Sequence, residues 1–186
     1  MKKFIYIIIA LVIIGIIVFI SNFNKAATME ESVKKAWGNV ENVLQRRYDL
    51  IPNLVETVKG YAKHEQDLFG RIAESRESYF NAKTPSQKIE ASGNLEGALS
   101  RLLVLSENYP ELKANENFLR LQDELAGTEN RIAVERRRYN EAVEEFRNYA
   151  RSFLGAIFVS IRGIDYEDYD YFKADKEAQK APKVKF

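Results

Sequence analysis

The feature that most constrains this chain is an uninterrupted apolar run. Phe4 to Ile20 reads FIYIIIALVIIGIIVFI, without a charge and with Tyr6 as its single polar side chain. At about 1.5 Å per helical residue, residues 4–20 span roughly 26 Å, the short end of a bilayer core. Ser21, Asn22 and Phe23 suit the interface and lengthen the usable span. A cleaved signal peptide fits poorly. The stretch is longer than the usual apolar region of such a peptide, and a cut after Ala27 would put Lys25 where a small residue is wanted. Residues 1–25 are therefore predicted to be an uncleaved, single-pass membrane anchor.

Flanking charge sets the expected orientation. Lys2, Lys3 and the α-amino group precede the span, whereas only Lys25 follows closely, with Lys34 and Lys35 further on. The excess of positive charge on one side favours a cytoplasmic N-terminus and a domain on the outer face. Beyond the anchor the charges balance: setting aside Lys2 and Lys3 leaves 26 basic against 27 acidic side chains. That argues against a nucleic-acid partner, which needs clustered positive charge to displace counterions. There is no cysteine, so disulfides, thiolate catalysis, Cys-based zinc sites and a lipid-modified N-terminal Cys are all excluded.

From residue 26 the pattern is helical. Thr28 with Glu31 three residues later reads as a capping box and predicts a helix start. Val33, Trp37, Val40, Leu44, Tyr48, Ile51, Val55, Val58 and Ala62 then recur every three or four residues, with Pro52 expected to bend the helix. Gly60 and His64 predict its end near Ala62. A second stripe runs through Leu68, Ile72, Ser75 and Tyr79. Thr84-Pro85-Ser86-Gln87 is another start signal, followed by Leu95, Leu99, Leu102, Leu103 and Tyr109. Pro110 marks a further break. The last stripe has a strict seven-residue period, Phe118, Leu125, Ile132, Tyr139, Phe146 and Phe153, flanked by Leu121, Val143 and Ala150. These stripes and short breaks predict an all-α fold: the transmembrane helix, then an antiparallel four-helix bundle over residues 26–160, its first and last helices long. An even helix count returns the chain to the membrane end, where apolar residues 153–161 either cap the bundle base or rest on the bilayer interface. Residues 161–186 begin as an acidic and aromatic segment, and from Lys173 onward they read as a disordered tail.

No constellation for catalysis emerges. His64 is the only histidine, which excludes a two-histidine zinc helix, and it sits at a polar helix end without a nucleophile elbow. No phosphate-binding glycine loop is present, and no cofactor is expected. Arg136-Arg137-Arg138 lies among Glu135, Glu141, Glu144 and Glu145, the pattern of a solvated, salt-bridged face. Asp165, Glu167, Asp168 and Asp170, interleaved with Tyr166, Tyr169 and Tyr171, lack the glycine and spacing of a calcium loop; the tyrosines suit an interfacial rim. Two polar stretches stand out: Arg46, Arg47, Asp49 and Asn53 around the proline, and Glu129, Asn130 and Arg131 on the last helix. Opposite charges there suit a polar network between first and last helices that fixes register, or else a small ligand groove beside Pro52.

The same stretches carry a resemblance. Residues 46–61, RRYDLIPNLVETVKGY, resemble the signature of the LemA family, as do 109–118, YPELKANENF, and 128–133, TENRIA, with Tyr139-Asn140 and Trp37. In that family's order, they cover about residues 24–150. The resemblance implies a bacterial single-pass membrane protein whose helical bundle is held outside the cytoplasm, with no established enzymatic activity and no known cofactor. Some members are associated with building magnetosome membranes, which implies a role in organising membranes. After Arg151 this chain departs from the pattern. Members commonly carry a proline-containing break and a glycine-aromatic segment there, whereas Phe153-Leu154-Gly155-Ala156 has no proline.

The expected function is a non-enzymatic, membrane-tethered interaction or organising module of the bacterial envelope. Its partners would be the membrane itself and an envelope or membrane protein, and the heptad seam also suits self-association. A sensor binding a small molecule or peptide beside Pro52 is the alternative.

Overall fold

The computed structural model describes residues 2–173, and among them every regular element is helical. The tail expected beyond Lys173 lies outside the described residues. The first helix, α1 (Lys2–Lys59), runs 58 residues without interruption. It carries the apolar run, whose large side chains are exposed throughout, and continues directly into the packed domain. The expected start at Thr28 is therefore not there. Thr28 Oγ1 donates to the Asn24 carbonyl at 3.0 Å, and Ser32 Oγ donates to Thr28 in the same way. A capping box satisfies the orphan N–H groups of a first turn. Here the preceding helix already satisfies them, and the box has nothing to cap. Pro52 likewise sits inside α1 without ending it, at the loss of one backbone bond to the Tyr48 carbonyl.

The chain leaves α1 through residues 60–65 and forms a hairpin of α2 (Gln66–Asn81) and α3 (Pro85–Ser106). At the start of α3 the predicted capping box is complete: Gln87 N donates to Thr84 Oγ1 at 3.3 Å, and Thr84 N donates to Gln87 Oε1 at 3.4 Å. A single turn, α4 (Pro110–Lys113), precedes α5 (Glu116–Arg151), whose first turn is capped by Asn115 Oδ1 accepting from Phe118 N at 3.0 Å. The heptad residues Phe118, Leu125, Ile132, Tyr139 and Phe146 are all buried on α5. Each such side chain contributes about 1.5–3 kcal/mol by leaving water, so this seam outweighs any ion pair in the domain.

Phe153 does not continue the seam: it is 83% exposed. Ser152 takes an extended conformation with ψ 156°, and its side chain accepts from Gly155 N, so α5 ends and a new helix, α6 (Phe153–Ile161), leaves in another direction. Gly155 permits this exit. A Cβ there would stand 1.8 Å from the Tyr149 carbonyl oxygen.

Helix α1 packs mainly on α5, and α2 packs mainly on α3. Contacts between α1 and α5 run in reversed sequence order. Tyr149 Oη donates to the Asn22 carbonyl at 2.9 Å, the Trp37 and Tyr139 rings lie 5.4 Å apart, and Arg47 pairs with Glu129. Near the far end, Asn115 Nδ2 donates to Tyr61 Oη at 3.1 Å.

Candidate functional site

The two signature stretches meet at one level of the domain. Arg47, on the buried side of α1 because it lies three residues after Leu44 and four before Ile51, reaches across to Glu129 on α5. The arginine side chain is 10% exposed and the glutamate 37%, so this ion pair sits at the edge of the core. The polar residues around these two are placed differently. Asp49 is exposed and accepts from Gln45 Nε2 on its own helix at 2.9 Å. Arg46, Asn53, Asn130 and Arg131 are exposed. Asn53 offers its backbone carbonyl to the Thr57 hydroxyl at 2.8 Å. The structure thus brings Arg47 and Glu129 together and leaves the other five of these residues on the surface.

Two further pairs complete a polar layer that the sequence alone did not single out. Lys88 of α3 pairs with Glu41 of α1, and Arg136 of α5 lies 3.4 Å from Glu96 of α3. Together with Arg47–Glu129 these pairs tie α1, α3 and α5 to one another. Arg137 and Arg138 do behave as a solvated face, pairing with Glu141 at 3.7 Å and Glu135 at 2.7 Å along α5. Arg136 instead turns inward. Its position, three residues before the buried Tyr139 on the same helix face, was the available signal.

Within this layer the aromatic residues are close. The Tyr48 and Tyr79 rings lie 4.1 Å apart, with Lys88 Nζ 5.6 Å from the Tyr79 centroid. Burial, and then the neighbouring Tyr79, hold the Tyr48 phenol well above its ordinary range, against the opposing charges of Arg47 and Arg136. Burial and Glu41 do the same to Tyr79. These phenols therefore stay neutral, while the nearby carboxylates face cations. Setting helix register is the best-attested use of such buried ion pairs.

The tyrosine-rich segment after α6 is not a rim around the membrane end. It runs along the outside of α1 and α5. Asn140 receives the segment as a neighbouring strand would, donating from Nδ2 to the Phe172 carbonyl and accepting from Phe172 N, both at 2.9 Å. The Phe172 ring stacks on Trp37 at 6.1 Å and lies 5.1 Å from the Arg136 guanidinium. Arg147 donates to the Tyr169 carbonyl at 2.7 Å, and Tyr169 Oη donates to Glu30 at 3.2 Å. Burial, followed by the charge of Glu30, pushes the Tyr169 phenol up to about 12. Of the acidic residues in the segment, Asp165 accepts from Glu167 N two residues on, and Asp170 reaches α3 to accept from Ser86 Oγ. Among the described residues no group of three or more His, Asp or Glu side chains is placed to hold a metal ion. Asn140 stands in a signature pair, but its partner is a backbone distant in sequence, so its task could be read only from the fold.

Fold and site together define a class: an all-helical protein with an N-terminal helix apolar and long enough to cross a membrane, its packed helices joined by a layer of ion pairs and neutral phenols. The chain belongs to the LemA family, whose model matches residues 36–186. It is similar to magnetosome protein MamQ 2 of Paramagnetospirillum magneticum, 23% identical over 164 residues that cover 72% of this chain and 60% of that one. It is also similar to protein LemA of Metamycoplasma hominis, 22% identical with coverages of 82% and 71%. A third relative is magnetosome protein MamQ of Magnetospirillum gryphiswaldense, 22% identical with coverages of 74% and 61%. The chain thus spans about three fifths of the length of these magnetosome relatives.

Proposed function

We propose that this protein is a non-enzymatic, membrane-tethered interaction module of the bacterial envelope. In this reading residues 4–20 cross the membrane once with the N-terminus in the cytoplasm, and α1, α2, α3 and α5 form an antiparallel four-helix bundle outside it. The observation that carries the proposal is the division of labour within the signature stretches. Arg47 and the apolar residues turn inward, whereas Arg46, Asp49, Asn53, Asn130 and Arg131 remain exposed with few ties to the rest of the domain. Residues needed only for packing would be inside, so an exposed set beside a register-fixing pair suits contact with another molecule. The magnetosome relatives, by their names, belong to the magnetosome, which supports an organising role for this module in the cell.

The sensor reading has less support. It needs a ligand groove beside Pro52, but Pro52 lies exposed on an unbroken stretch of α1. An open groove of about 570 Å³ lies instead between α2 and α3, lined by polar residues such as Glu74, Asn81, Glu90 and Asn94. Cross-linking in intact cells, followed by purification and identification of what accompanies the protein, separates the readings. Wild type is compared with Arg46→Ala and Asn130→Ala, both at exposed positions and expected to fold. A companion protein lost from both variants establishes an interaction surface. Recovery of the protein alone, with lipid, removes this patch from the proposal.

A further inference from the structure

Helix α6 leaves an apolar stripe uncovered beside the membrane-spanning part of α1. Its nine residues read Phe-Leu-Gly-Ala-Ile-Phe-Val-Ser-Ile. At about 100° per residue Phe153, Leu154, Ile157 and Ile161 share one side of the helix, Phe158 borders that side, and Gly155 and Val159 lie behind it. The burial follows the same division. Gly155, Phe158 and Val159 are buried, whereas Phe153 is 83%, Leu154 41%, Ile157 43% and Ile161 55% exposed.

What lies next to the stripe identifies what covers it. The Phe158 ring meets Phe19, within the apolar run, edge-on at 5.2 Å. Arg162, just past the helix, sits 4.4 Å from the Phe23 ring and donates to the Phe23 carbonyl at 3.4 Å. Two residues beyond Phe23 on α1, Lys25 Nζ lies 5.1 Å from the Tyr149 ring. Apolar rings at one level, with cations just beyond, reproduce the order of acyl chains and headgroups. We propose that α6 lies in the surface of the same bilayer that α1 crosses, on the side from which the bundle projects. Its stripe enters the boundary between acyl chains and headgroups, with Arg162 and Lys25 at the phosphates. This rests on the reading of residues 4–20 as a membrane span. A soluble protein partner would have to enter the lipid boundary to reach Phe153, and a second copy would bring two sets of cations together there.

The chain has no cysteine, so single cysteines can carry nitroxide labels in the full-length protein. Labels at Phe153, Ile157 and Ile161 are compared with Ile13 in the span and with Val104, 70% exposed on α3. The protein is placed in vesicles of phosphatidylcholine and phosphatidylglycerol, and each variant is checked for wild-type helicity. Oxygen, which concentrates in lipid, is expected to relax the three α6 labels and Ile13 several-fold more than a water-soluble nickel chelate does. Val104 should show the reverse. Chelate-accessible labels on α6 beside a lipid-exposed Ile13 would overturn the inference while leaving the anchor intact. A chelate-accessible Ile13 would sink the anchor and the inference with it. Labels shielded from both reagents and broadened by a second label would assign the stripe to another copy, which also overturns it.

Discussion

The α1–α5 pair and the α2–α3 hairpin reach their packing by different routes. Along α5 large side chains, Phe118, Tyr139 and Phe146 among them, recur every seventh residue and are buried against α1 in reversed order. The hairpin buries Phe69, Ile72, Tyr79 and three leucines together with the small Ala91, Ser92 and Ala98, without a strict heptad, and keeps an open polar groove beside its turn. Its ties to the other pair are specific: Tyr79 on Tyr48, Lys88 on Glu41 and Glu96 on Arg136. The difference teaches that one long regular seam holds α1 to α5, whereas the hairpin has an apolar core of its own and a few polar and aromatic contacts set its position on the other pair. Regions with fewer buried apolar contacts open more readily, so the hairpin is expected to open before the long pair does.

The largest expected effect is alkaline. Burial raises the Tyr48, Tyr79 and Tyr139 phenols above the ordinary value near 10. A folded value above the unfolded one gives stability that is complete below pH ~10 and is lost as pH rises through the folded value. Tyrosinate absorbance with circular dichroism should show the domain losing stability above pH ~10, with ionisation coupled to unfolding. If Tyr79 ionises ahead of Tyr48 and Tyr139, the hairpin is indeed the looser half.

Next in size is the seam. Phe146→Ala is expected to cost about 3–5 kcal/mol, read by denaturant melts, and to lower protection in α1 and α5 together. Leu99→Ala in the hairpin should cost about 2–3 kcal/mol, with lost hydrogen-exchange protection confined to α2 and α3. Equal loss across all four helices in the second variant would erase the distinction. Arg47→Leu, which strands Glu129 at the edge of the core, is expected to cost about 1–3 kcal/mol. A double-mutant cycle with Glu129→Gln should recover much of that as coupling, and an additive result would remove the pair from the register argument.

The smallest effect contrasts two threonines. Thr84→Ala removes a working cap and should cost about 1 kcal/mol, while Thr28→Ala lies in a helix interior and should change stability by less than about 0.5 kcal/mol. Comparable losses at both sites would mean that Thr28 has a role its bond to Asn24 does not explain.

Those threonines also show how far the sequence could be read. Both begin the same cap pattern, but a cap acts only where a helix starts, and the apolar run before Thr28 is already helical. The heptad seam was legible to Phe146 because periodic burial is a local property. It failed at Phe153, where Ser152 opens a new helix and Gly155 clears the Tyr149 carbonyl, neither of which alters the period. Within the candidate site, Arg47 and Glu129 were identifiable from opposite charge beside two apolar stripes. Lys88, Glu96 and Asn140 were not, since their partners are set by how distant segments meet.

The unbroken course of α1 has a mechanical meaning. A flexible linker would let a domain wander over its membrane, whereas here a single helix passes from residue 2 to residue 59. With residues 4–20 in lipid, the remainder stands as a mast roughly 60 Å tall. Any contact made at the loop of residues 60–65 would then occur at a fixed altitude. A tilt of the mast's foot, as on entering a thinner or more curved membrane, would move its tip sideways by an amount magnified by that length.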